Sequence, residues 1–413
     1  MLMLLLLLYT AHLDLALLQI ASAQPVTEPE AAMVWPQPQK QVLGTTSGYL
    51  ATKDKFAFVA ANTAAAASAP LHQAMIRYRA IIFQREPEAM TWIGRCDPDE
   101  RQLRWPCPPP PVVPSRTLVL QTLNITIGSP DETLSLSTSE NYTLSVVFPS
   151  ASLFADTVYG AMRGLESFAQ LVQPDHSIRS QQIVDFPRFP FRATMVDTSR
   201  HWLPVPLLKA HLDAMSYNKM NVLHMHISDM PSFPFVSTSL PQLSAQGAFD
   251  SNHVYSPAII AELIAYAKAR GIRVIAEFDV PSHTYPSWDP IGVRGGNSTL
   301  LANCSEYPFG FLRVDLESTY DFLGTLLADV SKAFPDSIYN IGGDEMNDAC
   351  WNQSAEVASF MKTQGFNGSD LTGYFARRLF DIVRTRSALY HVSSSRHSQL
   401  LSLSLFCVTL IGH

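Results

Sequence analysis

The chain has 413 residues, 47% hydrophobic and 16% charged, which is room for two or three globular domains with a sizeable core. Its 29 Lys and Arg stand against 36 Asp and Glu, a formal net charge of -7. With no basic cluster to offset that balance, nucleic acid and anionic membrane surfaces are disfavoured as partners.

Met1 to Ile20 is apolar, and Ala21-Ser22-Ala23 offers a small-x-small cleavage site before Gln24, so residues 1–23 read as a signal peptide. His12 and Asp14 inside the run argue against a stable membrane span. Asn124, Asn141, Asn297, Asn303, Asn352 and Asn367 each open an Asn-x-Ser/Thr sequon, as expected for a glycosylated, secretory-pathway chain. Five cysteines imply two bridges and one leftover thiol. Spacing suggests a local Cys96–Cys107 loop; Cys304–Cys350 would then tie a loop to the segment just past Asp344-Glu345, leaving Cys407.

Residues 24–180 read as an α+β domain. Strand patterns fall at Phe56–Ala60, Thr117–Gln121, Ile125–Ile127 and Tyr142–Val147, with helices over Leu71–Phe83 and Phe154–Leu171. Arg85 to Pro114, with its proline run, is an insertion-like loop. From residue 187 to 385 strand and helix alternate. Strands are expected at Ala193–Thr198, Asn221–Ile227, Arg273–Val280 and Ser337–Ile341, with helices at Val205–Tyr217, Ser256–Arg270 and Ser318–Phe334. Such βα units imply a parallel sheet, and a (β/α)₈ barrel carries its active site at the C-terminal strand ends. Only four units are visible.

Arg200, Asp229, His283 and Asp344-Glu345 all follow such ends. Gly342 and Gly343 place the last two carboxylates on a close-fitting turn. A carboxyl pair can cleave a glycosidic bond, one group donating to the leaving oxygen. Adjacent residues sit poorly on opposite faces of a sugar, so the pair better suits a route in which the substrate's own 2-acetamido oxygen attacks. The alternative is metal-dependent hydrolysis: His224 and His226, two apart on a strand, point their imidazoles the same way, with His283, Asp229 and Asp344 near.

Four strings carry a family resemblance: DFPRFPFRATMVDTSRHWLP from Asp185, YNKMNVLHMHISDMPSFPF from Tyr217, GIRVIAEFDVPSHTYPSW from Gly271 and IGGDEMNDACW from Ile341. They resemble the β-N-acetylhexosaminidases of glycoside hydrolase family 20, and ENYTLSVVFPSASLFADTVYGAMRGLESFAQLV resembles the small domain before the barrel there. The resemblance implies Glu345 as general acid/base, Asp344 as the acetamido-positioning group, Arg200 and Asp229 on sugar hydroxyls, and His283 supporting the carboxylates. It implies N-acetyl-hexosamine-terminated glycans as substrates, no metal or other cofactor, lysosomal or extracellular location, and a dimer with a full-length homologous subunit. Its disulfides would match Cys304–Cys350 and, less closely, Cys96–Cys107. Met225 and Met230 replace a Trp and an Asp of the usual family loop. After Val383 the likeness stops; residues 386–413 diverge, and the chain reads as C-terminally truncated.

Overall fold

The computed structural model describes residues 34–84, 118–288, 300–305, 309–343, 345–346, 348–386 and 407–409. Strands β1 (Lys40–Leu50), β2 (Ala57–Ala60), β3 (Val119–Leu120), β4 (Thr122–Ile127), β5 (Tyr142–Val146), β6 (Ser150–Ala155) and β7 (Ser177–Asp185) form one sheet in the order β2-β4-β6-β5-β7-β1-β3. The strands alternate as a half-covered sheet should: Leu123, Ile125 and Ile127 of β4 and Ala151, Leu153 and Ala155 of β6 are buried, their neighbours less so. Helices Ala69–Phe83 and Val158–Leu171 cover that apolar face and complete its core. The second helix begins later than the sequence pattern implies. Ser150–Ala155 has period-two burial and pairs with both β4 and β5, and Thr157 then caps the helix by accepting from the N–H groups of Tyr159 and Gly160. Strands β1 and β7, polar and irregular in pattern, carry no comparable signal in the sequence.

The second unit is a parallel sheet. Strands β8 (Ala193–Asp197), β9 (Val222–Ser228) and β10 (Arg273–Phe278) run side by side, a small hairpin of β11 (Leu301–Asn303) and β12 (Gly310–Leu312) intervenes, and β13 (Ile338–Asn340) pairs parallel to β10. Helices Val205–Tyr217, Pro257–Lys268 and Glu317–Ala333 connect them, giving the first four strands of a (β/α) barrel. Leu223, Met225 and Ile227 of β9 and Val274, Ala276 and Phe278 of β10 point outward into the helix-covered core. The opposite parity faces the barrel interior, with Val222, Ile275 and Ile338 as its floor and polar residues above. Beyond β13 follow helices Asp348–Gln353, Ala355–Gln364 and Gly368–Arg386, none of which the sequence reading assigned. Further along the chain, β14 (Cys407–Thr409) adds antiparallel to β13. At the other edge, the inward-facing Met195 of β8 is 59% exposed.

The two units meet through buried charge. Arg163, on the helix Val158–Leu171, donates to Glu140 Oε1 from Nε (2.9 Å) and Nη2 (2.6 Å), and reaches the backbone carbonyls of Arg270 (3.1 Å) and Gly271 (2.7 Å) in the barrel. Arg192 takes the second oxygen of Glu140, and Lys219 pairs with Asp185 at 2.8 Å. No helix of the described residues is long and apolar enough to cross a membrane. The signal-peptide segment, Cys96, Cys107 and Asn297 lie outside the described residues.

Candidate active site

The site is assembled from the ends of β8, β9, β10 and β13. Asp197 ends β8, and its Oδ1 accepts from the N–H groups of Ser199 and Arg200, curling the chain so that the Arg200 guanidinium returns over the rim. There Nη1 meets Asp197 Oδ2 at 2.7 Å and Nη2 meets Asp229 Oδ2 at 2.7 Å. Asp229, just past β9, is fully buried, and its oxygens are shared among Arg200, His226 Nε2 (2.8 Å), His283 Nδ1 (3.1 Å) and the N–H of Met230. Burial works against its charge, but the imidazole hydrogen bonds outweigh this and hold its carboxyl well below the usual carboxylate range.

His283 follows β10 and is almost fully buried; its Nε2 faces Glu345 Oε2 at 2.8 Å, with Asp279 Oδ2 at 3.7 Å. Glu345 keeps 47% of its side chain exposed and so opens to the rim. His283 (φ 59°) and Glu345 (φ 58°) both hold left-handed backbone, uncommon for residues with a side chain and a conformation that persists only where the surroundings impose it. The turn between them is fixed as well. Gly343 N–H donates to Asp279 Oδ1 (2.9 Å) and Gly342 N–H to Asn340 Oδ1 (2.9 Å), while Gly342 at φ +62° lies so close to Asp279 that a Cβ would sit 1.7 Å from Oδ1. A few residues past Glu345 in the chain, the disulfide Cys304–Cys350 ties the loop after β11 to the helix Asp348–Gln353.

The structure thus brings Arg200, Asp229, His283 and Glu345 into one contact chain. Asp344 lies outside the described residues. Asp229 has no exposed surface, and its contact at the rim is the Arg200 guanidinium. His224 and His226 lie one layer further in. Both imidazoles do face the interior, but Glu277 bridges them, its oxygens contacting His224 Nε2 and, at 3.1 Å, His226 Nδ1. The nearest thing to a ligand set is instead Asp229, Asp279 and His283, each offering one atom within 4.8 Å of the others. The two carboxylates already accept from protein donors, Asp279 Oδ1 from the N–H of Gly343 and Asp229 from its imidazole neighbours and the Arg200 guanidinium, and both His283 nitrogens face carboxylate oxygens. Sequence reasoning passed over Asp197, Glu277 and Asp279 as members of the site; their parity with the interior face was the signal.

Of the described sequons, Asn141, Asn303, Asn352 and Asn367 are exposed, whereas Asn124 sits half-buried in β4 with Nδ2 donating to Ser150 Oγ at 2.7 Å.

A barrel-type sheet whose C-terminal rim holds a carboxyl backed by imidazole and a second carboxylate has the parts of the barrel proteins that work by proton transfer. The particular family follows from comparison. Residues 189–392 match the model "Glycosyl hydrolase family 20, catalytic domain", and residues 34–171 match "beta-acetyl hexosaminidase like". The chain belongs to glycoside hydrolase family 20. It is 37% identical over 371 residues to beta-hexosaminidase subunit beta of Felis catus, covering 86% of this chain and 65% of that protein. It is 40% identical over 290 residues to beta-hexosaminidase subunit alpha of Bos taurus, covering 67% and 54%. Among solved structures, the chitobiase of Flavobacterium johnsoniae superposes with a TM-score of 0.69 at 25% identity, over 87% of this chain and 52% of that one. The exo beta-N-acetylglucosaminidase of Vibrio harveyi shares the fold at a TM-score of 0.64 and 22% identity, over 88% and 55%. The chain spans between about half and 65% of the length of these curated relatives.

Proposed function

We propose that this chain is a β-N-acetylhexosaminidase that removes terminal non-reducing N-acetylhexosamine from glycoconjugates with retention of configuration. Glu345 gives its proton to the glycosidic oxygen as the C1–O bond breaks. The 2-acetamido carbonyl oxygen of the substrate closes onto C1, and Asp344 holds the acetamido N–H and the charge that develops there. The Glu345 carboxylate then takes a proton from the water that opens this cyclic intermediate. Arg200, with its fixed fork of donors at the rim, holds sugar hydroxyls. The observation that carries the reading is the contact chain Asp229–His283–Glu345, which backs a half-exposed carboxyl with a buried imidazole and an ionised carboxylate.

The test is hydrolysis of a chromogenic N-acetylglucosaminide by the secreted chain, with Glu345→Gln as the control. Turnover that falls by about 10²–10⁴-fold in the variant supports the reading. A glycan-binding chain without turnover is the second reading, favoured by the solvent-facing interior edge at Met195; ligand binding with no hydrolysis in wild type would establish it. Stoichiometric zinc or manganese, with activity lost to a chelator, would overturn both in favour of a metal hydrolase. The reading extends to a lysosomal or extracellular location, to glycans on the exposed sequons, and to pairing with a full-length homologous subunit.

A further inference from the structure

The contact chain does not stop at Asp229. It continues inward through His226 and Glu277 to His224, so that imidazole and carboxyl alternate from the barrel interior to Glu345. Burying ionisable groups costs several kcal/mol each unless every one is paired, so the fold's retention of this run calls for a reason. His226 is the central link. It is almost fully buried, with Nδ1 3.1 Å from Glu277 Oε1 and Nε2 2.8 Å from Asp229 Oδ2. Its surroundings on every side are Glu277 from β10, Asp229 after β9 and Asp197, its register partner on β8. Arg200 lies beyond Asp229, His224 and Asn340 beyond Glu277, and Asp279 and Glu345 beyond His283.

We propose that His226, clamped by Glu277, is a positioning residue for the acid/base step. It fixes the Asp229 carboxylate so that this carboxylate orients His283 Nδ1–H and turns His283 Nε2 to Glu345. The inference rests on the proposed hexosaminidase reading. Nδ1 and Nε2 of His226 both face carboxylate oxygens, a geometry that only the doubly protonated ring satisfies with two donors. Burial presses against that charge, but hydrogen bonds from the ring to Asp229 and Glu277 prevail and hold His226 up to about 10. His226 is thus a fixed cation that stands apart from the proton transfer, while Glu277 locks its ring plane.

The experiment compares kcat and KM against pH for the full chain, His226→Gln and Glu277→Gln, alongside ¹⁵N NMR of the wild-type histidines. The expected result is a drop in kcat of roughly tenfold to a hundredfold in both variants, with KM nearly unchanged and the acid/base limb of the kcat profile displaced. A variant that loses stability but keeps an unshifted, parallel pH profile would overturn the proposal. So would a wild-type His226 ring that titrates near neutrality, a readout that needs no variant to fold. If the wild-type chain is folded but inactive, the hexosaminidase reading fails by itself. A His283 ring whose Nδ1 protonation is unaltered in Glu277→Gln then overturns the positioning role separately.

Discussion

Gly342→Ala tests the turn that aims Glu345. Two terms add. An L-residue in the left-handed backbone that Gly342 adopts, φ +62°, costs about 1–2 kcal/mol. The new Cβ would stand 1.7 Å from Asp279 Oδ1, so the Asp279 carboxylate must swing away and release the N–H of Gly343. A hydrogen bond to a charged group contributes about 1.5–3 kcal/mol, which brings the expected loss to about 2.5–5 kcal/mol. Gly365→Ala is the control: it has the same sign of φ, +69°, with nothing within 4 Å of its Cβ, so only the backbone term applies. Urea unfolding followed by tryptophan fluorescence measures both. The reasoning is refuted if Gly342→Ala costs no more than Gly365→Ala, or if it leaves kcat on a chromogenic substrate intact.

Cys350→Ser opens a loop spanning 46 residues and should lower stability by about 4 kcal/mol on chain-entropy grounds. A urea midpoint unmoved relative to wild type would show that the cross-link restrains nothing. Stability should also depend on pH in two directions. Glu277, opposed by burial but held down to about 2 by His224 and His226, contributes fully above its ordinary value of 4.5 and loses that contribution as pH falls through about 2. His226 contributes fully below its ordinary value of 6.5 and loses its share as pH rises toward about 10. The cluster therefore stabilises most between about pH 4.5 and 6.5. The wild-type minus His226→Gln stability difference, measured from pH 4 to 10, should shrink on the alkaline side; a difference that grows there would contradict the assignment.

Much of the barrel half is legible because its signals are local. The helix Val205–Tyr217 begins with Pro206 in its first turn and ends at Asn218, and its bounds follow from those residues. The rim residues are legible because strand ends in a βα repeat converge wherever the sheet lies. The roles of Asp279 and Glu277 are not, since they depend on register. Only the pairing of Glu277 with His226 on one side and Asn340 on the other puts it under the site. Strand β7 escapes for a related reason. Its run Ser177-Ile178-Arg179-Ser180-Gln181-Gln182 is mostly polar, and Gln181 is buried because Gln41 donates to it across the strand pair at 2.6 Å. The HxH pattern points both rings inward, as period two requires, but the sequence does not reveal that a carboxylate from the next strand lies between them.

The charge clamp around Arg163 makes the amino-terminal sheet something other than an appendage. Arg163 contributes four hydrogen bonds, two to the barrel's helix-to-strand corner at Arg270 and Gly271 and two to the Glu140 that also holds Arg192. Cutting the chain near residue 187 would strip Lys219 and Arg192 of their counter-ions and leave the carbonyls at that corner without donors. An excised barrel would therefore begin life with a wound at the base of the β10 strand whose far end carries Asp279. The smallest piece of this chain to which an intact site can be entrusted includes both units.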